Sequence, residues 1–130
     1  MDSEVREHKF VIKGTMPTLN EYLSACASSP YKGHKLKQDN MLLAINAIRL
    51  YLRGYHADKL IVLHYVFYEP NKKRDKDNIF AFASKVVQDS LQKTKTISND
   101  GWKNIENFTH EFYVDKEHPR IEVTIEEIED

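Results

Sequence analysis

The chain has 130 residues, of which 41% are hydrophobic and 30% are charged, and its formal net charge is -1. This length fits one domain, residues 1–130, and the composition is that of a globular protein that can bury a core. A nearly neutral chain is not expected to coat nucleic acid without specificity, although lysines clustered locally can still form a binding site.

The sequence also limits the compartment and the chemistry. Cys26 is the only cysteine, which excludes an internal disulfide and a cysteine-based zinc site. The start of the chain, Met1 to Lys9, is charged rather than apolar, and no apolar run reaches membrane-spanning length. We therefore expect a cytoplasmic protein.

The first half of the chain predicts one strand, one long connection and one helix. His8 to Lys13 alternates apolar and polar residues, as a strand does. Gly14 to Lys37 contains prolines, glycines and small polar residues, and is interpreted as a long, partly irregular segment that can contact a substrate. Gln38 to Arg53 has apolar residues at helical spacing, and Gly54 stands where a carboxyl-terminal cap is expected.

The second half predicts a central strand, a helix and two further strands. Leu60 to Tyr68 is continuously apolar, which favours a strand that is covered on both faces. Asn78 to Lys93 returns to helical spacing, with Asp77 or Asn78 as its cap. Alternation around Phe108–Val114 and Ile121–Ile125 predicts two strands joined as an antiparallel hairpin.

This order of elements predicts an α/β (α+β) fold. We expect a small mixed sheet of about four strands with two main helices packed on it.

The most informative segment is Lys72-Lys73-Arg74-Asp75-Lys76-Asp77-Asn78, between the central strand and the following helix. Asp75 and Asp77 are two residues apart, so both carboxylates can face the same side of an extended segment. Asp100 lies in a polar turn beyond the helix and is expected to reach the same place if that turn folds back. Carboxylates beside lysines can hold Mg²⁺ against a phosphodiester, with Mn²⁺ as a possible substitute.

Two simpler interpretations remain open from the residues alone. Charges that follow a strand often form a solvated loop, and an Asp-Asn pair before a helix often serves as a cap. Lysines of this kind often serve only solubility.

Three short motifs resemble the RusA family of Holliday junction resolvases, which are small bacterial and phage endonucleases. They are Arg74-Asp75-Lys76-Asp77-Asn78, Asn99-Asp100 ahead of the two last strands, and Pro17-Thr18-Leu19-Asn20-Glu21-Tyr22 after the first strand. The resemblance follows the order of elements over nearly the whole chain, whereas close residue matches are confined to these motifs.

The resemblance implies a homodimer that cuts four-way DNA junctions with Mg²⁺ held by Asp75, Asp77 and Asp100. It also implies that Arg74 contacts phosphate and that Asn20 helps to shape the site. The family places a catalytic lysine four residues after the second aspartate, where this chain has Ala81. Lys85, one helical turn further, is the expected replacement, and Lys76 is another candidate.

The sequence therefore predicts a Mg²⁺-dependent endodeoxyribonuclease that resolves Holliday junctions and related branched DNA. Its expected metal ligands are Asp75, Asp77 and Asp100, with Lys85 as a further catalytic residue. The residues expected to bind DNA are Asn20, Lys72, Lys73, Arg74 and Lys76. The alternatives are a module that binds branched or single-stranded DNA without cutting it, and an accessory protein that binds a partner through the acidic region Glu117 to Asp130.

Overall fold

A computed structural model describes residues 7–128 and shows three helices and four strands. In chain order these elements are β1 (Glu7–Lys13), α1 (Leu19–Ser28), α2 (Pro30–Leu52), β2 (Ile61–Glu69), α3 (Lys76–Lys93), β3 (Ile105–Val114) and β4 (Arg120–Glu127). The α+β class and the four-stranded mixed sheet agree with the prediction. The third helix was not predicted.

The strands form one sheet in the order β1-β4-β2-β3. β4 pairs antiparallel with β1 and with β2, whereas β3 pairs parallel with β2. The predicted hairpin between the last two strands is therefore wrong. The segment after β3 crosses the end of β2 and places β4 between β1 and β2, where its apolar side chains Ile121, Val123 and Ile125 are fully covered.

The hydrophobic core lies on one face of the sheet, where α2 and α3 pack. Leu63, Tyr65 and Phe67 of β2 are completely buried there, and Phe80 of α3 meets the Tyr65 ring edge-on at 5.2 Å. The alternate residues of β2 are only half-buried on the other face, so the prediction of cover on both faces is wrong. The apolar pattern misled because aromatic residues also stack on the open face, where Arg120 lies 3.7 Å above the ring of Tyr68.

The segment 14–37 is mostly helical, which corrects the prediction of a long irregular connection. Thr18 begins α1 with a capping box, in which its hydroxyl accepts from the Glu21 backbone N–H at 3.3 Å and its own N–H donates to the Glu21 carboxylate at 3.0 Å. Ser29 caps α2, and Pro30 occupies the first turn, where its missing N–H costs nothing. The prolines and small residues mark the starts of helices rather than a loop.

α2 is a helix of 23 residues that extends further toward the amino terminus than the sequence pattern indicated. Its packing against α1 depends on Gly33, because a Cβ atom there would lie 2.4 Å from Cys26 Sγ and 3.0 Å from Cys26 Cα. The helix ends at Arg53, which adopts the left-handed conformation with φ 49°, and Gly54 follows with φ 83°.

α3 confirms the predicted helix, since Ile79, Phe82, Val86 and Leu91 are all buried. Its N-cap is Asp75, not Asp77 or Asn78 as predicted, and the Asp75 side chain makes no capping hydrogen bond. Over residues 7–128, the structure contains no helix with the length and apolarity needed to cross a membrane. Positions 129 and 130, the end of the acidic region, lie outside the described residues.

Candidate metal-binding and phosphate-binding site

The Asp75–Asp77 segment lies just beyond the end of the central strand β2 and opens α3. Both aspartates are exposed, and neither forms an ion pair with any residue in 7–128. The Asp77 carboxylate accepts a hydrogen bond from the Asn78 backbone N–H at 2.9 Å, while Asp75 keeps the N-cap position without using its side chain. Helix capping therefore does not explain Asp75.

Most other acidic side chains of the protein have a cationic or hydrogen-bonding partner. Asp89 binds Lys37 at 2.7 Å, and the acids of the open sheet face are paired in the same way. Glu122 of β4 contacts Lys9 and Arg120, and Glu126 contacts His64 at 2.7 Å. This pairing leaves little free negative charge on β4, which weakens the interpretation of the acidic region as a partner-binding surface.

Three lysines surround the two aspartates and remain free of ion pairs within the described chain. Lys72, Lys73 and Lys76 are exposed, and Lys76 Nζ lies 5.7 Å from the centre of the Phe112 ring. Lys85 and Arg74 are bound to acids instead, as described below. The free lysines thus form a local cationic patch, and such patches attract phosphate oxygens.

Arg74 is committed to the fold, which corrects its predicted role in binding phosphate. Its Nε and Nη2 atoms donate to the two carboxylate oxygens of Glu69, each at 3.0 Å, and Nη1 donates to the Met16 carbonyl at 2.8 Å. Glu69 is buried at the end of β2. The sequence gave no sign of this pair apart from the position of Glu69, which falls in register with the buried residues of β2.

Arg74 also fixes α1 next to the site, because its Nη1 lies 3.5 Å from a carboxylate oxygen of Glu21. The hydrogen bond from the Thr18 backbone N–H, together with Arg74, lowers the pKa of Glu21. Asn20 lies in the first turn of α1 and is exposed. The amino-terminal ends of α1 and α3 are thus held at the same end of the sheet, and helix amino termini favour anions.

Asp100 lies at the opposite end of the sheet from Asp75 and Asp77. It precedes β3, and the Asn104 carbonyl accepts from the backbone N–H of Ile61, the first residue of β2. Asp75 follows the other end of β2, and nine residues of strand separate the ends by about 26 Å.

The prediction that all three aspartates meet within one chain is therefore wrong. Over residues 7–128 no three His, Cys, Asp or Glu side chains are grouped so that they could hold a metal ion. The sequence could not reveal this, because the direction in which the chain returns after α3 depends on the parallel pairing of β3 with β2.

Lys85 is also directed elsewhere. It lies two helical turns from Asp77, about 12 Å along the axis, and its Nζ contacts Asp89 at 3.3 Å. Lys76, which adjoins Asp77, is the lysine that the structure places at the site.

A groove of about 620 Å³ runs between the start of α3 and the second half of β3, and Asp77 lines it. Its walls are Lys76, Asp77, Phe80, His110, Glu111, Phe112 and Tyr113. The sequence did not predict that these β3 residues lie beside the aspartates. Their alternation identified a strand, but the strand's neighbour was wrong.

The donor set fits a hard divalent cation. Mg²⁺ prefers carboxylate oxygens, keeps several waters, and is often held by one or two protein carboxylates together with phosphate oxygens of a substrate. Asp75 and Asp77 supply two free carboxylates, and the lysines supply partners for a phosphate. A single chain thus carries an incomplete but suitable set of ligands.

Comparison with known proteins assigns no family to the chain: no protein-family model matches it, and the search of curated proteins finds no significant match.

Proposed function

We propose that the protein is a Mg²⁺-dependent endodeoxyribonuclease that acts as a homodimer on branched DNA, including four-way junctions. The observation that supports this most is the pair of free carboxylates, Asp75 and Asp77, between free lysines at the end of the central strand. The resemblance of Arg74-Asp75-Lys76-Asp77-Asn78 to the RusA resolvases indicates the branched substrate.

In this proposal each group at the site has a separate task. Asp75 and Asp77 hold the cation, and Lys72, Lys73 and Lys76 hold phosphate groups on either side of the bond to be cut. The amino terminus of α3 adds a partial positive charge where a phosphate would lie. The bound cation would make a water a stronger nucleophile and stabilise the negative charge that develops on the phosphate oxygens.

Arg74 positions these groups without contacting the substrate. Its bonds to Glu69 and to the Met16 carbonyl join the end of β2 to the segment before α1. This clamp holds the segment from Pro70 to Asp75 in place, so that the aspartates and lysines keep a fixed arrangement.

The test is cleavage of an end-labelled four-way junction by the purified protein. We expect cuts in Mg²⁺ or Mn²⁺, no cuts in EDTA, and much slower cutting of a linear duplex of the same sequence. Salt-dependent binding of the junction without cleavage in either metal would refute nuclease activity.

A second candidate is a module that binds branched DNA without cutting it. Two observations favour it: Asp100 lies about 26 Å away along the sheet, and Lys85 is bound to Asp89. This candidate predicts the same junction affinity in Mg²⁺ and in EDTA, and no effect of Asp75→Asn beyond a small gain from removing a negative charge.

A further inference from the structure

β3 is an edge strand that lacks the usual protection against pairing. It forms one border of the sheet, and its side chains from Glu106 to Glu111 are all exposed. Natural edge strands usually carry lysines, prolines or bulges. β3 has no lysine or proline, and from Asn107 to Val114 it runs in regular register with β2. Its outer row of backbone N–H and C=O groups is therefore suited to receive another strand.

The two faces of β3 have different chemistry. Phe108, His110 and Phe112 lie on the helix-covered face, where Phe80 contacts the Phe108 and His110 rings at 6.5 Å and 4.7 Å. Thr109 and Glu111 lie on the open face beside polar and aromatic residues of β2. A partner strand must therefore present an apolar side and a polar side in the same order.

We propose that this partner is β3 of a second copy, paired antiparallel about a two-fold axis, and that the pairing completes the metal site in trans. The inference rests on the proposed function and deepens it. The register places His110 opposite His110 of the second copy. Phe108 then faces Phe112, and Thr109 faces Glu111, twice each because of the symmetry.

Neighbouring registers are less favourable. A shift that centres the pair on Glu111 brings two carboxylates directly opposite each other, which is destabilising. A shift that centres it on Thr109 places Glu106 opposite Phe112. Any shift by a single residue would place the aromatic side chains of one copy on the polar face of the other.

Antiparallel pairing brings opposite ends of the two β3 strands together. Asp100 precedes the start of β3, and Asp75 and Asp77 lie beside its far end, at the groove lined by Phe112 and Tyr113. In the dimer, the turn that carries Asp100 of one copy therefore lies next to the aspartates of the other. The same pairing places Glu106 beside Val114 of the second copy, near the free Lys76.

A second exposed apolar surface competes for the same partner. The outer side of α2 exposes Leu42, Leu43 and Leu50, with Leu50 at 64%. Dimerisation through α2 would leave Asp100 remote from the aspartates of both copies, so it would not complete a metal site. This difference makes Leu50 a matched control for β3.

Mixing two inactive variants tests the assembly of the site. Asp77→Asn and Asp100→Asn are each expected to cut at least 100-fold more slowly than the wild type. After the two variants are co-refolded, each mixed dimer has one site with both changes and one site with neither. We expect the mixture to recover about one quarter of the wild-type sites, as nicks in one strand of the junction.

No recovery in the mixture, with an active wild type and demonstrated exchange of subunits, would refute the assembly in trans and leave the proposed function intact. An inactive wild type would refute the proposed function instead. The pairing itself is then decided by the following assays, which do not require cleavage.

The oligomeric state and the register are measured by sedimentation velocity and by oxidative cross-linking. Phe108→Glu is expected to convert a dimer into a monomer, whereas Leu50→Glu is expected to remain dimeric. In a Cys26→Ser background, His110→Cys should form a disulfide-linked dimer, because directly opposed Cβ atoms lie about 5 Å apart. Leu50→Cys should not. A monomeric wild type, or a dimer that only Leu50→Glu dissociates, would overturn the proposal.

Discussion

At the scale of single residues, Asp75 and Arg74 are neighbours with opposite situations. Asp75 is exposed and has no cationic partner within the described chain, while each guanidinium nitrogen of Arg74 donates to an oxygen of the fold. A residue held by its own protein is costly to remove for stability, whereas a free carboxylate can be exchanged at little cost. These two residues therefore separate activity from stability.

Asp75→Asn is expected to lower junction cleavage at least 100-fold while junction affinity and the free energy of unfolding stay within a factor of about three and 0.5 kcal/mol of wild type. The amide keeps the size of the side chain but binds a cation poorly. Single-turnover cleavage and a binding isotherm measure both effects. Asp58→Asn, at an exposed aspartate beside the start of β2, is the control and should be neutral. Equal rates for both variants would remove Asp75 from the site.

Arg74→Ala is expected to destabilise the protein by on the order of 2–4 kcal/mol, because Glu69 would remain buried without its partner. Urea unfolding measures this change. Lys73→Ala is the matched control: it should leave stability unchanged and reduce the salt dependence of junction binding by about one phosphate contact. If Arg74→Ala behaved like Lys73→Ala in both assays, the clamp would not be structural.

At the scale of elements, the amino-terminal half of the chain depends on the close approach of α1 and α2. Gly33 permits that approach, since a methyl group there would overlap Cys26. Gly33→Ala is expected to lower the free energy of unfolding by about 1–3 kcal/mol, although alanine favours helices in general. Cys26→Ala in the same chain should recover part of the loss. Gly101→Ala, which meets nothing within 4 Å, is the control.

The start of α1 gives a pH-dependent contribution to stability. The pKa of Glu21 is lowered in the folded protein, first by the hydrogen bond from the Thr18 backbone and also by Arg74. A carboxyl group with a lowered folded pKa stabilises the fold above its unfolded pKa, and the effect is lost as the pH falls through the folded value. Urea midpoints between pH 7 and pH 3 should therefore fall more for wild type than for Glu21→Gln. Parallel profiles would contradict this.

The sequence patterns identified elements better than neighbours. The apolar spacing of Ile79, Phe82, Val86 and Leu91 predicted α3, and the alternation in Ile121, Val123 and Ile125 predicted β4. Neither pattern contains information about which strand lies beside which, so the predicted hairpin was wrong. The missed helix α1 had its capping box in plain view, but Pro30 and the small residues around it were interpreted as a loop.

The candidate site divides in the same way. The local part, Asp75 with Asp77 and their lysines, follows from adjacent residues and is present in the structure. The distant part does not, because the placement of Asp100 depends on the parallel β2–β3 pair. The role of Arg74 was missed because its acidic partner lies five residues earlier, at the buried end of β2.

At the scale of the whole molecule, the sheet has two distinct ends and one unprotected edge. The end that carries Asp75 and Asp77 also receives the amino termini of α1 and α3 and the free lysines, while the other end carries Asp100. A monomer therefore has an incomplete set of carboxylates at each end. A two-fold dimer through β3 would join opposite ends and form two equivalent sites, as two symmetric cuts in a four-way junction require.

The most direct test of the central claim is the rate of single-turnover junction cleavage as a function of Mg²⁺ concentration, for wild type and Asp77→Asn. The account predicts that the wild-type rate rises with Mg²⁺ and reaches a plateau, and that Asp77→Asn shows no comparable rise although it binds the junction. Identical Mg²⁺ curves for the two proteins, or no cleavage by wild type at any Mg²⁺ concentration, would contradict it.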